Sequence, residues 1–133
     1  MADDRPTGPI ELSLPADARL VRLARLVASG VATAAGFDVE EVEDLRIAVD
    51  EVCGALVEGS DGSSLHLRFE LGVNEVEVIG STQSSGLEQL DSQRIDLSRQ
   101  ILQVVVDSHA VVADGGVMRV QLHKRRAPLE IDG

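Results

Sequence analysis

The stretch AVDEVCGALVEG, Ala48 to Gly59, sets a carboxylate, Glu51, one helical turn before Ala55. Positions i and i+4 share a helix face. A carboxylate and an amide at that spacing can orient a water and hold Mg²⁺ beside a nucleotide phosphate. Only the carboxylate is present. The methyl group at position 55 cannot ligate a hard cation that demands oxygen. On its own Glu51 reads as a solvated or capped helix glutamate, because Glu40, Glu43, Asp44, Asp50 and Glu58 make the whole segment acidic.

Other reactive side chains form weaker patterns. His66, His109 and His123 are scattered and show no metal-ligand spacing. Ser81, Ser84 and Ser85 lie in a polar run with no histidine nearby, which solvation explains. Cys53 is the single cysteine, so no internal disulfide is possible, and its place in an apolar helical series marks a packed core thiol. Arg19, Arg22 and Arg25 recur every third residue as a basic ridge. That ridge suits a solvated face, a partner for the acidic segment, or a site for an acidic protein. Ile47 interrupts the polar side of the acidic segment and serves equally as a contact residue or the edge of the core.

The elements that would position these residues follow from periodicity and punctuation. IELSL (10–14) alternates and predicts a short strand. Pro15 and Asp17 open a helix whose stripe is Leu20, Leu23, Ala24, Val27 and Val31, with Gly36 placed to end it. Asp38 and Glu41 form a capping-box pattern, flanked by Phe37 and Val42 as a hydrophobic staple. Val42, Leu45, Val49, Val52, Cys53 and Leu56 continue that second helix to Gly59. Gly54 inside it costs about 1 kcal/mol relative to alanine, tolerable where something packs closely.

SSLHLRFEL (63–71) and EVEVI (75–79) predict a hairpin, and residues 81–93 read as a loop. Ile95, Leu97, Ile101, Leu102, Val105 and Val106 suggest a third helix, although the run from Val104 to Val106 suits a strand as well. AVVADGGVMRVQLH closes the pattern as a second hairpin around Asp114-Gly115. Residues 1–9 read as a disordered tail, 10–124 as one domain and 125–133 as a second tail. Hairpin-linked strands with clustered helices imply an α+β two-layer sandwich, a mostly antiparallel sheet with three helices on one face.

Bulk properties narrow the function. The 133 residues suit one domain with a real core. No apolar run approaches the roughly 18 residues of a membrane span, and the acidic N-terminus lacks the apolar region of a signal peptide. One cysteine fits a reducing cytoplasm. A net charge of −11 argues against direct nucleic-acid binding and favours a basic protein partner or a well-solvated surface. Phe37 and Phe69 are the only aromatics, so base or sugar stacking has almost nothing to work with.

The run EEVEDLRIAVDEVCGALV, above all DLRIAVDEVC (44–53), resembles the anti-sigma regulatory factors of the GHKL, or histidine-kinase-like, ATPase superfamily. The order of elements over residues 10 to 124 agrees, and the resemblance implies that fold with a truncated lid. In this family the helix carries Glu-x-x-x-Asn, the glutamate as base and the asparagine holding Mg²⁺. Glu51 matches the first and Ala55 stands in place of the second. An Asp-x-Gly-x-Gly turn should follow the EVEVI strand, its aspartate accepting from adenine. Thr82 stands where the aspartate belongs and Ser84 where the first glycine belongs. No shift of register restores the acid, since residues 80–86 contain none. The lid that should wrap the triphosphate has become LEQLDSQRIDLS (87–98), without glycine and with Asp91 and Asp96 opposing phosphate.

The resemblance therefore implies a degenerate anti-sigma factor. It would bind and sequester a sigma factor, be titrated by an anti-anti-sigma (STAS-type) protein, and act as a possible homodimer in the cytoplasm. No metal, nucleic-acid or membrane role is expected and Glu51 is a relic, with ATP and Mg²⁺ required only in the alternative, a divergent serine kinase acting on the anti-anti-sigma partner. A structural pseudokinase subunit without a sigma factor is a third reading. Residues 10–31, with Arg19, Arg22 and Arg25, and the face at Glu40, Glu43, Asp44 and Ile47 are the expected contact regions.

Overall fold

Asp38 begins the helix around which the other elements are arranged. Its side chain accepts from the Glu41 backbone N–H at 2.8 Å, and Glu41 Oε1 accepts from the Asp38 N–H at 2.9 Å. Two of the amides that a helix start leaves unpaired are thus satisfied reciprocally. The helix, α2, runs Val39–Gly59. It is preceded by strand β1 (Gly8–Pro15), a 3₁₀ turn (Ala18–Leu20) and helix α1 (Val21–Ala34). The computed structural model describes residues 6–84 and 92–127, the side chains of 92–95 apart.

The sequence places the start of the first helix at Pro15 and Asp17; the structure puts a 3₁₀ turn there first. Asp17 caps that turn by accepting from the Arg19 N–H at 2.9 Å. Gly36, at φ 87°, supplies the left-handed residue that lets the chain leave α1 and reach Asp38.

Strands β2 (Ser64–Gly72) and β3 (Glu75–Gln83) form the first hairpin, helix α3 (Ser92–Val105) follows, and β4 (Ser108–Asp114) and β5 (Val117–Arg125) form the second. The turn of the second hairpin is Gly115–Gly116, both at positive φ, as a two-residue connection between right-twisted strands requires. Every pairing is antiparallel, in the order β1-β2-β3-β5-β4. The architecture is the α+β sandwich expected, with a five-stranded antiparallel sheet under three helices.

Two expectations change. Residues 81–83 are not loop: β3 is paired on both sides through Thr82 and by β5 alone at Gln83, and at the other end of the expected loop α3 already begins at Ser92. The run from Val104 to Val106 closes α3 and is not strand, and Leu97 and Val104 point to solvent at 52% and 83% exposure. At the C-terminal end β5 includes Arg125, the Arg126 N–H donates to Asn74 O at 2.7 Å, and the Ala127 N–H donates to Glu41 Oε2.

The core lies between the layers. Leu65, Leu67 and Phe69 of β2, Val76 and Val78 of β3, and Met118, Val120 and Leu122 of β5 face Leu45, Val49, Val52, Cys53 and Leu56 of α2, all buried. Each large side chain so placed contributes about 1.5–3 kcal/mol. The closest approach is at Gly80 on β3. A β-carbon there would stand 2.7 Å from Leu56 Cδ1 and 3.0 Å from Val52 Cγ1 and Leu67 Cδ2. Gly80→Ala therefore overpacks the core and should lower the urea midpoint by an amount equivalent to about 1–2 kcal/mol. An unchanged midpoint would show that α2 does not sit this close to the sheet.

Candidate functional site

Helix α2, the end of β3 and helix α3 bring the sequence-designated site positions into one region. Glu51 is half-buried on α2, and its Oε2 accepts a hydrogen bond from Ser98 Oγ of α3 at 3.0 Å. Ala55, one turn on, is partly buried and packed against the core. It presents no oxygen. Thr82 is 2% exposed. Its hydroxyl lies 2.9 Å from Ser60 Oγ and donates within the fold, to Ser64 O at 3.2 Å. Ser84 leaves β3 with its N–H donating to Gly116 O at 2.8 Å. Residues 85–91, which include 87–91 of the shortened lid, lie outside the described residues, and residues 92–98 of that segment are helix α3.

Chemically Glu51 is a carboxylate held by an internal hydroxyl, one turn before a methyl group, and Thr82 is a buried threonine at the far end of α2. Thr82 is spent on tying the end of α2 to the start of β2, through Ser60 and Ser64. Its position could not be used by an acid without burying an uncompensated charge, which costs several kcal/mol. Among the described residues no group of three or more His, Cys, Asp or Glu side chains could hold a metal ion.

The contact residues expected from sequence fall on two surfaces. Arg19 forms an exposed pair with Asp17, at 2.6 Å, and the guanidinium holds the Asp17 carboxyl down at about 2. Arg22 is exposed, whereas Arg25 turns towards α2 and lies 3.5 Å from Asp50 Oδ1. The three arginines thus do not form one ridge: the last is engaged by the acidic helix, one of the roles the sequence allowed. On α2, Glu40 is exposed, Glu43 pairs with Arg46 at 2.8 Å, and Ile47 is 37% exposed at the edge of the core. Asp44 is half-buried, 3.7 Å from Lys124 Nζ.

Two further residues matter that sequence reading did not single out. Lys124 is the only lysine and faces the helices from β5, with a side chain 11% exposed. Its Nζ donates to Val105 O at 2.9 Å, placing a cation at the C-terminus of α3 where the helix dipole favours it. The signal was the alternation Met118, Val120, Leu122, whose next inward position is 124. Ser98 was legible in the same way, as a polar residue in register with Leu102 and Val105 on the buried face of α3.

Two of the grooves formed by described residues are open to solvent. One, of about 810 Å³, lies on the uncovered face of the sheet and includes Ser13, His66, Arg68, Ser81 and Arg119. The other, of about 730 Å³, lies beside the start of α2 and includes Glu40, Asp44, Asp107 and Lys124. Neither is lined by Glu51, Ala55, Thr82 or Ser84.

Three helices on one face of an antiparallel sheet, with a glutamate on the second helix aimed at the third, define a histidine-kinase-like ATPase fold. No protein-family model matches the chain. Over 114 residues it is 32% identical to the serine-protein kinase RsbW of Bacillus velezensis, covering 81% of this chain and 68% of the relative. The RsbW of Bacillus subtilis strain 168 matches to the same extent, at 32% over 114 residues. In structure it is similar to a crystal structure of the RsbU and RsbW domains of a Mycobacterium tuberculosis protein, with a TM-score of 0.67 and 18% identity, over 90% of this chain and 33% of the other. The chain belongs to the family of serine-protein kinase RsbW.

Cys53 lies under this region, on the face of α2 towards the core. Burial, and then the Asp50 charge, push its thiol up to about 12 from an ordinary 9.0, against a smaller opposing effect of Arg25. A raised folded value means that the thiol's contribution to stability is complete below pH 9 and is lost as pH rises towards 12. At pH 8.5 the native thiol should react with iodoacetamide at least tenfold more slowly than the urea-unfolded chain. Equal rates would contradict the packing of α2.

Proposed function

We propose that this protein is an anti-sigma-factor-like regulator that binds and sequesters a sigma factor without binding ATP or transferring phosphate. Membership of the RsbW family supports the regulatory role. The observation that carries the second part is the loss of ligand chemistry at two matched positions. Ala55 offers a methyl group, and the Thr82 hydroxyl is bonded inside the fold. A protein of this kind acts through its surface. Its expected partners are a sigma factor, an anti-anti-sigma protein that competes for it and a second copy of this chain, and it works in the cytoplasm.

The alternative is a serine kinase with a divergent site. The name of the relatives, serine-protein kinase, and the retained Glu51 favour it. Against it stands the physical requirement for an oxygen ligand to Mg²⁺ beside that glutamate.

Net charge of −11 implies that a basic partner is steered towards this chain, most strongly at low salt. Glu40 and Glu43 are exposed at the start of α2, so the pair of substitutions Glu40→Lys and Glu43→Lys tests that face. Asp44 is left in place because it adjoins Lys124. Stopped-flow association with the purified sigma factor should slow by about tenfold at low ionic strength and lose much of its salt dependence. Unchanged rates would exclude this surface, and no complex with any sigma factor of the host would overturn the proposal itself.

A further inference from the structure

The two edges of the sheet are built differently. Strand β1, at one edge, carries Pro9 and Pro15, which have no N–H to donate, and the charge of Glu11. Strand β4, at the other edge, pairs among the described residues with β5 alone. It matches β5 residue for residue without a bulge, and it holds neither proline nor lysine, the devices that keep an edge from accepting a further strand. A two-residue turn is closed by a hydrogen-bonded pair, here Asp114 and Val117. Ladder alternation then directs the amides of His109, Val111 and Ala113 outward. Apolar groups gather along the same edge. Val112 is 51% exposed on β4, and α3 packs against this strand. Leu97 and Val104 of α3, both exposed, lie about 100–120° round the helix from Ser98, which faces α2.

With a net charge of −11, two copies of this chain repel over most of their surface. Strand β4 offers a single carboxylate, Asp114, at its very end. We infer that β4 is the surface through which this chain meets a second copy of itself, the two strands pairing antiparallel about Val111. In that register the whole of β4 overlaps: Ser108 faces Asp114, His109 faces Ala113, and Ala110 faces Val112. The Ser108 hydroxyl donates to the carboxylate opposite it, no two acids face each other, and the outward amides of both copies meet as hydrogen-bonded pairs. The contact is two-fold and isologous, and it joins two five-stranded sheets into one continuous sheet. Leu97 and Val104 of both copies add apolar area beside the junction. This names the surface for the second copy that the proposed function expects, rests on that reading for the partner alone, and is tested without a sigma factor.

Sedimentation velocity of the free chain should show a monomer–dimer equilibrium. Ala110→Lys together with Val112→Lys sets lysine opposite lysine at both ends of the pairing and should raise the dimer Kd by about tenfold. Ala110→Glu together with Val112→Glu should do the same. Mixed in equal amounts, the two variants should recover the dimer, because lysine then faces glutamate. Both sites are exposed, so each variant should keep the wild-type circular dichroism. In the wild type, hydrogen exchange at His109, Val111 and Ala113 should slow as protein concentration rises, while exchange in β1 stays constant. A monomer at every concentration, variants that fail to recover on mixing, or exchange in β4 that ignores concentration would each overturn this surface. A dimer that survives in both variants would overturn it as well, while leaving a second copy as a partner. Loss of sigma-factor binding would bear on the proposed function alone.

Discussion

Helix α2 approaches the sheet so closely that only glycine fits beneath it: a β-carbon on Gly80 would stand 2.7 Å from Leu56 Cδ1. That contact fixes the height and rotation of the helix. With Leu45, Val49, Val52, Cys53 and Leu56 turned down into the core, Glu51 is left facing α3. The capping box at Asp38 and Glu41 fixes where the helix starts, and Glu41 also takes the Ala127 N–H, tying the end of β5 to the same turn. Position, rotation and start of one helix therefore determine which groups surround Glu51.

Those groups are structural. Thr82 joins the end of α2 to the start of β2, and Ala55 is part of the core margin. Ser98 joins α3 to α2. The side chains of Glu51, Ala55 and Thr82 are turned to neighbouring elements. Among the described residues, one groove lies on the uncovered face of the sheet and another beside the first turn of α2. The grooves of this protein and its charge both direct attention to the outside of the molecule.

Much of this was legible in the sequence. The capping box, the α2 stripe and the strict alternation of SSLHLRFEL each carry a local signal and form where the residues place them, while the turn expected around Asp114-Gly115 forms one residue later, at Gly115–Gly116. The matched positions Glu51, Ala55 and Thr82 were found through the resemblance, since a lone glutamate in an acidic helix has no distinguishing pattern. What escaped was set by tertiary pairing. Residues 81–83 are polar and look like loop, yet they are strand because both neighbours pair with Ser81 and Thr82 and β5 pairs with Gln83. Ser98 and Lys124 are polar residues at inward positions, and only the packed fold shows what their polar atoms meet.

The central claim is that the scaffold has kept its shape and lost its nucleotide. Thermal unfolding with and without millimolar Mg·ATP tests it, because a ligand present at one hundred times its Kd stabilises the native state by about 2.7 kcal/mol. The account predicts a superimposable transition in both conditions. A rise of several degrees in Tm that requires Mg²⁺ and is abolished by Glu51→Gln would contradict it.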